Sequence, residues 1–114
     1  MVQRYEIGPR MSEAAVHNGV VYLAGQVADD EHADIAEQTR QVLASIDALL
    51  KQADTDKSKI LRAQIYLADI ADFAAMNQVW DRWVLHGHTP PRATVQAALA
   101  NPNWKIEIVV TAAL

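Results

Sequence analysis

A chain of 114 residues, 51% hydrophobic and 21% charged, has the length and balance of one compact domain. Ten basic residues against fourteen acidic leave a formal charge of −4, and the basic ones are scattered, which excludes a positive stripe for a nucleic-acid backbone. The absence of cysteine excludes disulfides, thiolate metal ligands and a cysteine nucleophile, and no run approaches the roughly 18 apolar residues of a membrane span. We therefore expect a single domain over residues 1–114. Charge within residues 1–6, where a signal peptide needs an apolar core, points to a mature, soluble, cytoplasmic protein.

Residues 2–7 alternate weakly and predict an edge strand, stopped by Gly8-Pro9. Residues 13–24 predict a hairpin, because Asn18-Gly19 between two strand-like runs suits a turn that needs two positive φ angles. Gly25-Gln26-Val27 lets the backbone leave the sheet. From Asp34, a fitting N-cap, Ile35, Thr39, Val42, Ile46, Leu49 and Leu50 fall on one helical stripe. Leu61, Ala63, Ile65 and Leu67 then alternate with Arg62, Gln64 and Tyr66, as in a half-buried strand. Asp72 is the expected N-cap of a second helix reaching about Leu85, with Phe73, Met76, Trp80, Trp83 and Val84 on its apolar stripe. The two tryptophans of this stripe read as core rather than as a ligand platform. Thr89-Pro90-Pro91 forces an extended approach into two last strands, residues 92–99 and 105–111, expected as a terminal hairpin turned at Asn101-Pro102-Asn103.

The order β, β, β, α, β, α, β, β predicts an α+β domain, a mixed sheet of about six strands with both helices on one face. The other face is then bare. Gln64, Tyr66, Thr94, Gln96, Val109 and Thr111 are expected on it, too apolar to be indifferent to water, so an oligomer that covers it is the economical solution.

Chemistry is expected at Arg92, which opens a strand at the exit of a double proline, and at Glu107, a charge inside an apolar strand. The planar arginine fork suits a small carboxylate, although Arg92 could instead bridge subunits, and Glu107 could instead pair with a neighbouring cation. Gln26 either presents its amide to a cleft or ends a strand, and Trp104 either borders a cleft or packs. His86-Gly87-His88 lacks an obvious third ligand, so no metal site is expected. The acidic runs at 29–31 and 54–56 lack calcium-loop spacing and read as solvated connectors.

Several motifs in order carry a resemblance. Ala24-Gly25-Gln26-Val27, Glu37-Gln38-Thr39, residues 72–77 (Asp-Phe-Ala-Ala-Met-Asn), Pro91-Arg92-Ala93-Thr94-Val95 and Lys105-Ile106-Glu107-Ile108 resemble those of the RidA/YjgF (reactive intermediate deaminase) family, and more closely its YoaB-like branch. The resemblance implies a chorismate-mutase-like α+β fold and a homotrimer with ligand clefts between subunits. It also implies hydrolysis of enamines and imines such as 2-aminoacrylate to 2-keto acids and ammonia, without metal or organic cofactor. By position it assigns carboxylate binding to Arg92, water handling to Glu107, and cleft lining to the Thr94 backbone; Gln26 and Met11 are taken as further substrate-binding candidates. Met11 stands where the family has a pocket-closing tyrosine, Ala24 where it has serine, and Val109 where it has a second glutamate. The Met11 exchange sets up a competing reading, a non-catalytic trimeric binding module for small carboxylates or 2-keto acids.

Overall fold

The computed structural model describes residues 1–114. Six strands, β1 (Gln3–Ile7), β2 (Ser12–His17), β3 (Val20–Leu23), β4 (Ile60–Leu67), β5 (Arg92–Gln96) and β6 (Ile106–Ala113), form one sheet in the order β1-β2-β3-β6-β4-β5. Helices α1 (Ile35–Gln52) and α2 (Phe73–Trp83) pack side by side on one face of it. The expected α+β architecture is therefore present, and the sheet is mixed: β4 and β5 run parallel, and every other pair is antiparallel.

Local chemistry sets the element boundaries. Asn18 and Gly19 adopt φ of 50° and 77°, the left-handed pair that the two-residue turn between β2 and β3 requires. The Asp34 carboxylate accepts a hydrogen bond from the Glu37 N–H at 2.9 Å and starts α1. Ahead of α2 the capping differs from the expectation. Asp69 accepts from the Ala71 N–H and starts a one-turn 3₁₀ segment (Ile70–Asp72), while Asp72 holds the N-cap position without a side-chain bond. That helix ends at Trp83, two residues short of Leu85. Val84 is already extended, and the Lys57 Nζ donates to the Trp83 carbonyl at 2.6 Å, satisfying a group the helix leaves free.

Val42, Leu43, Ile46 and Leu50 of α1 and Met76 of α2 are buried against Val21, Ile65, Leu67, Ile106, Ile108 and Val110 of the sheet. Each such side chain contributes roughly 1.5–3 kcal/mol by leaving water. Val79 takes the core place expected for Phe73, which stays 40% exposed.

Two expectations are corrected. The last two strands are not a hairpin: β6 lies between β3 and β4, and β5 pairs only with β4, on its far side. A parallel β4–α2–β5 unit comes first, and residues 97–105 then carry the chain over the end of β4, where Ala97 N–H donates to Leu67 O and Ala68 N–H to Lys105 O. The second correction follows from the register. Thr94 pairs with Ile65 and Gln96 with Leu67, both fully buried under the helices, so Thr94 and Gln96 lie on the helix side. The bond from the Ile70 N–H to Gln96 Oε1, at 2.8 Å, agrees. Ala93 and Val95 take the open face instead, beside Gln64, Tyr66, Val109 and Thr111, which lie where expected.

Candidate functional site

Glu107 follows from the alternation of β6, in which Ile106 and Ile108 are fully buried under the helices and the residue between them turns to the opposite face. Its carboxylate lies over Gly25. A Cβ at position 25 would stand 1.9 Å from Glu107 Oε2 and 2.8 Å from its Cδ, so only glycine leaves this space. Next to it Gln26 bridges to β6, its N–H donating to Ile108 O at 2.9 Å and its carbonyl accepting from the Ile108 N–H at 3.1 Å. The Gln26 side chain is buried, and its amide donates to Glu13 Oε2 at 3.3 Å and to Ala24 O at 3.2 Å. Gln26 does not end a strand, since β3 stops at Leu23; it forms a separate bridge to β6 and lies at a cleft. Met11, Glu13, Gln26, Trp104 and Glu107 line that cleft, of about 530 Å³. No basic side chain borders it.

Arg92 stands elsewhere. It pairs with Ala63 on the helix side of the sheet, at the start of edge strand β5, and so on the face opposite to Glu107. The backbone before it is held by the Ala63 N–H, which donates to Pro91 O at 3.1 Å. Its guanidinium lies 5.1 Å from the Trp80 ring centroid and 5.9 Å from that of Phe73, within cation–π range. Its one side-chain hydrogen bond goes to the Met76 thioether at 4.0 Å, a weak acceptor. Partial burial pulls the guanidinium below its ordinary pKa, and the charge of Asp81 opposes that shift. The two carboxylate–cation contacts within 4.0 Å in the chain are Glu31 with His32 and Glu37 with Arg40. Neither Arg92 nor Glu107 has an oppositely charged partner within 4.0 Å inside its own chain.

Of the expected site residues, the structure therefore brings Met11, Gln26 and Glu107 together and places Arg92 and Thr94 apart from them. Thr94 Oγ1 is buried without a partner on the same side of β5 as Arg92, and Asn77 Oδ1 of α2 is likewise unpartnered. No group of three histidine or acidic residues is arranged to hold a metal ion.

Two residues near the cleft escaped the sequence reading. Gln38, fully buried in α1, donates to the carbonyls of Glu31, Ala33 and Asn103 and accepts from the Lys105 N–H at 2.9 Å. Glu31, expected in a solvated connector, accepts from Asn101 and Asn103 at 2.6 and 3.1 Å, which holds its carboxyl below the usual carboxylate range. Together they fasten the segment that carries Trp104 to the cleft. A glutamine on an otherwise apolar helical stripe was the available signal, but its partners lie 65 and 67 residues away.

The chain is similar over nearly its whole length to a set of known proteins. Residues 4–114 match the family model described as Endoribonuclease L-PSP. A RutC family protein of Haemophilus ducreyi is 53% identical over 100% of this chain and 97% of its own, and the RutC family protein YoaB of Escherichia coli is 48% identical over 99% and 98%. More distantly, a chloroplastic protein of Arabidopsis thaliana named Reactive Intermediate Deaminase A is 32% identical over 95% of this chain and 60% of its own. The crystal structure of a YjgF family member from Neisseria meningitidis superposes with a TM-score of 0.96 at 46% identity, covering 99% of this chain and 94% of that one. With the family model matched over residues 4–114, relatives 48–53% identical over nearly the whole length and the fold shared, the chain belongs to the RidA/YjgF family.

Proposed function

We propose that the protein hydrolyses reactive enamine and imine intermediates, 2-aminoacrylate and other 2-imino acids, to 2-keto acids and ammonia. The observation that carries this reading is the Arg92 guanidinium, partly desolvated, held over aromatic rings and lacking any carboxylate. A small carboxylate supplies what it lacks, through two parallel charge-assisted hydrogen bonds. The imine carbon of such a substrate is already electrophilic, so the remaining need is a positioned water and an acceptor for its proton. Glu107 fills that role on the imine tautomer, which an enamine such as 2-aminoacrylate reaches by taking a proton at its terminal carbon. It takes a proton from water as oxygen bonds to the protonated C=N carbon, and returns that proton to the amino nitrogen. The C–N bond then breaks to release ammonia as the hydroxyl loses its proton to solvent and becomes the keto group. Because Arg92 and Glu107 lie on opposite faces of one sheet, a site holding both takes one from each of two neighbouring copies. This fits clefts between the subunits of a homotrimer, with the bare sheet face as the surface that assembly covers. No cofactor enters the reaction, and we place it in the cytoplasm.

A second reading is a trimeric binding module that senses a 2-keto acid without turnover. Met11, 52% exposed at the rim of the Glu107 cleft in place of the family tyrosine, favours it. RNA cleavage finds no support in a net charge of −4 with no basic side chain on the cleft. The test is ammonia release from enzymatically generated 2-aminoacrylate, with pyruvate binding measured alongside. Acceleration over the spontaneous reaction, lost in Arg92→Ala together with at least about tenfold of pyruvate affinity, is the expected result. Pyruvate binding without any acceleration selects the binding module.

A further inference from the structure

Trp80 and Phe73 were expected only to fill the core. Trp80 does so, at 5% exposure, yet its ring also carries the Arg92 guanidinium at 5.1 Å, with Phe73 flanking at 5.9 Å. We infer that Trp80 is the residue that positions Arg92, holding the cation from its π face so that the N–H groups stay free for the carboxylate of a 2-keto or 2-imino acid. The inference rests on the carboxylate role proposed for Arg92.

The physical argument is one of competition. An arginine at the start of an exposed edge strand has three ready fates: free rotation in water, a salt bridge to the nearest acid, or a fixed place. Free rotation would charge the ordering of a long side chain to every binding event. A salt bridge would occupy the donors that the ligand needs. Asp81, one residue beyond Trp80 on α2, is the carboxylate whose charge acts on Arg92, but no nitrogen–oxygen contact within 4.0 Å forms between them. An aromatic face attracts the cation and accepts none of its in-plane N–H bonds, and the one hydrogen bond Arg92 makes goes to sulfur. Trp80 can act as a fixed support because it is itself fixed, packed in the core and against Trp83 at a centroid distance of 5.2 Å. Recognition of the carboxylate thus begins in α2, a layer below the residue that touches it.

The test uses the whole protein and needs no turnover. In the ¹H–¹⁵N spectrum of the free protein, the Arg92 Nε–H signal, assigned by its loss in Arg92→Lys, should be displaced by the ring current of Trp80. Trp80→Leu should return it to the position of an exposed arginine and weaken pyruvate binding about fivefold. Trp80→Phe, which keeps an aromatic face, should preserve most of both. An undisplaced Arg92 signal in the wild type overturns the inference, and this holds even if Trp80→Leu fails to fold. So does a Trp80→Phe variant that loses pyruvate affinity as fully as Trp80→Leu, since Trp80 would then matter only by its packing. A wild type that binds no pyruvate removes the carboxylate role of Arg92 but leaves the Nε–H displacement to decide the positioning by Trp80.

Discussion

The Arg92 corner and the Glu107 cleft hold their charges by opposite means. Arg92 is lodged against apolar and aromatic groups, with Trp80 behind it and Met76 alongside, so its charge is partly desolvated and its hydrogen-bond donors are free. Glu107 lies among polar groups, over the Gly25 backbone and near the Gln26 amide, in space kept open by a missing side chain. Arg92 is thereby suited to grip and Glu107 to exchange protons with water. Binding and turnover should therefore come apart when the two regions are altered separately.

The largest expected effect tests that separation directly. Glu107→Gln should lower ammonia release from 2-aminoacrylate by about 10²-fold or more while leaving pyruvate affinity within about twofold, measured by calorimetry on the same preparation. A parallel loss of affinity would mean that Glu107 also binds. Gly25→Ala sharpens the comparison without removing either charge. Its Cβ would have to push aside the Glu107 carboxylate, a flexible end that can move, so we expect a stable protein with turnover down about tenfold and pyruvate affinity unchanged. Gln38→Ala reaches the cleft from behind. It frees three backbone carbonyls and one N–H in the interior, and should cost about 2–3 kcal/mol in denaturant unfolding, with faster hydrogen exchange at the Lys105 amide and an unaltered Arg92 Nε–H signal.

The smallest effect is a pH dependence. Glu31 is held below its ordinary value of 4.5 by Asn101 and Asn103, so its contribution is complete above that value and fades as the pH falls through the lower folded-state one. Thermal midpoints of wild type and Glu31→Gln should accordingly converge on acidification and differ most near neutrality. A gap that stays constant with pH would remove Glu31 from this role.

What could be read from the sequence divides along the line between local and distant causes. The Asn18-Gly19 turn, the Asp34 cap and the 3.6-residue stripe of α1 depend on neighbours within a few positions, and each stands where the pattern put it. The β6 alternation that singles out Glu107 is local too. The pairing of β5 with β4 rather than β6 is decided by the crossover through α2, which no turn signal encodes. The facing of Thr94 and Gln96 went with it, because in a strand of alternating polar and apolar residues only the partner's register says which set turns inward. Gln38 reads as an ordinary helix residue until Asn103 and Lys105 arrive beside it. The separation of Arg92 from Glu107 has the same origin, since their spacing of 15 positions carries no information about which face of the sheet each will occupy.

The place of β6 has a consequence for how the protein folds. It is the last of the six strands and the only one that joins β1-β2-β3 to β4-β5. Without it the sheet falls into two portions with nothing to connect them, and α1 is laid over an open seam. Closure waits until residues 106–113 are in place, so the cooperative folding step depends on pairings between strands far apart in sequence, β3 with β6 above all. Until then the inner edges of β3 and β4 remain unpaired, and this is the interval in which a chaperone has most to protect.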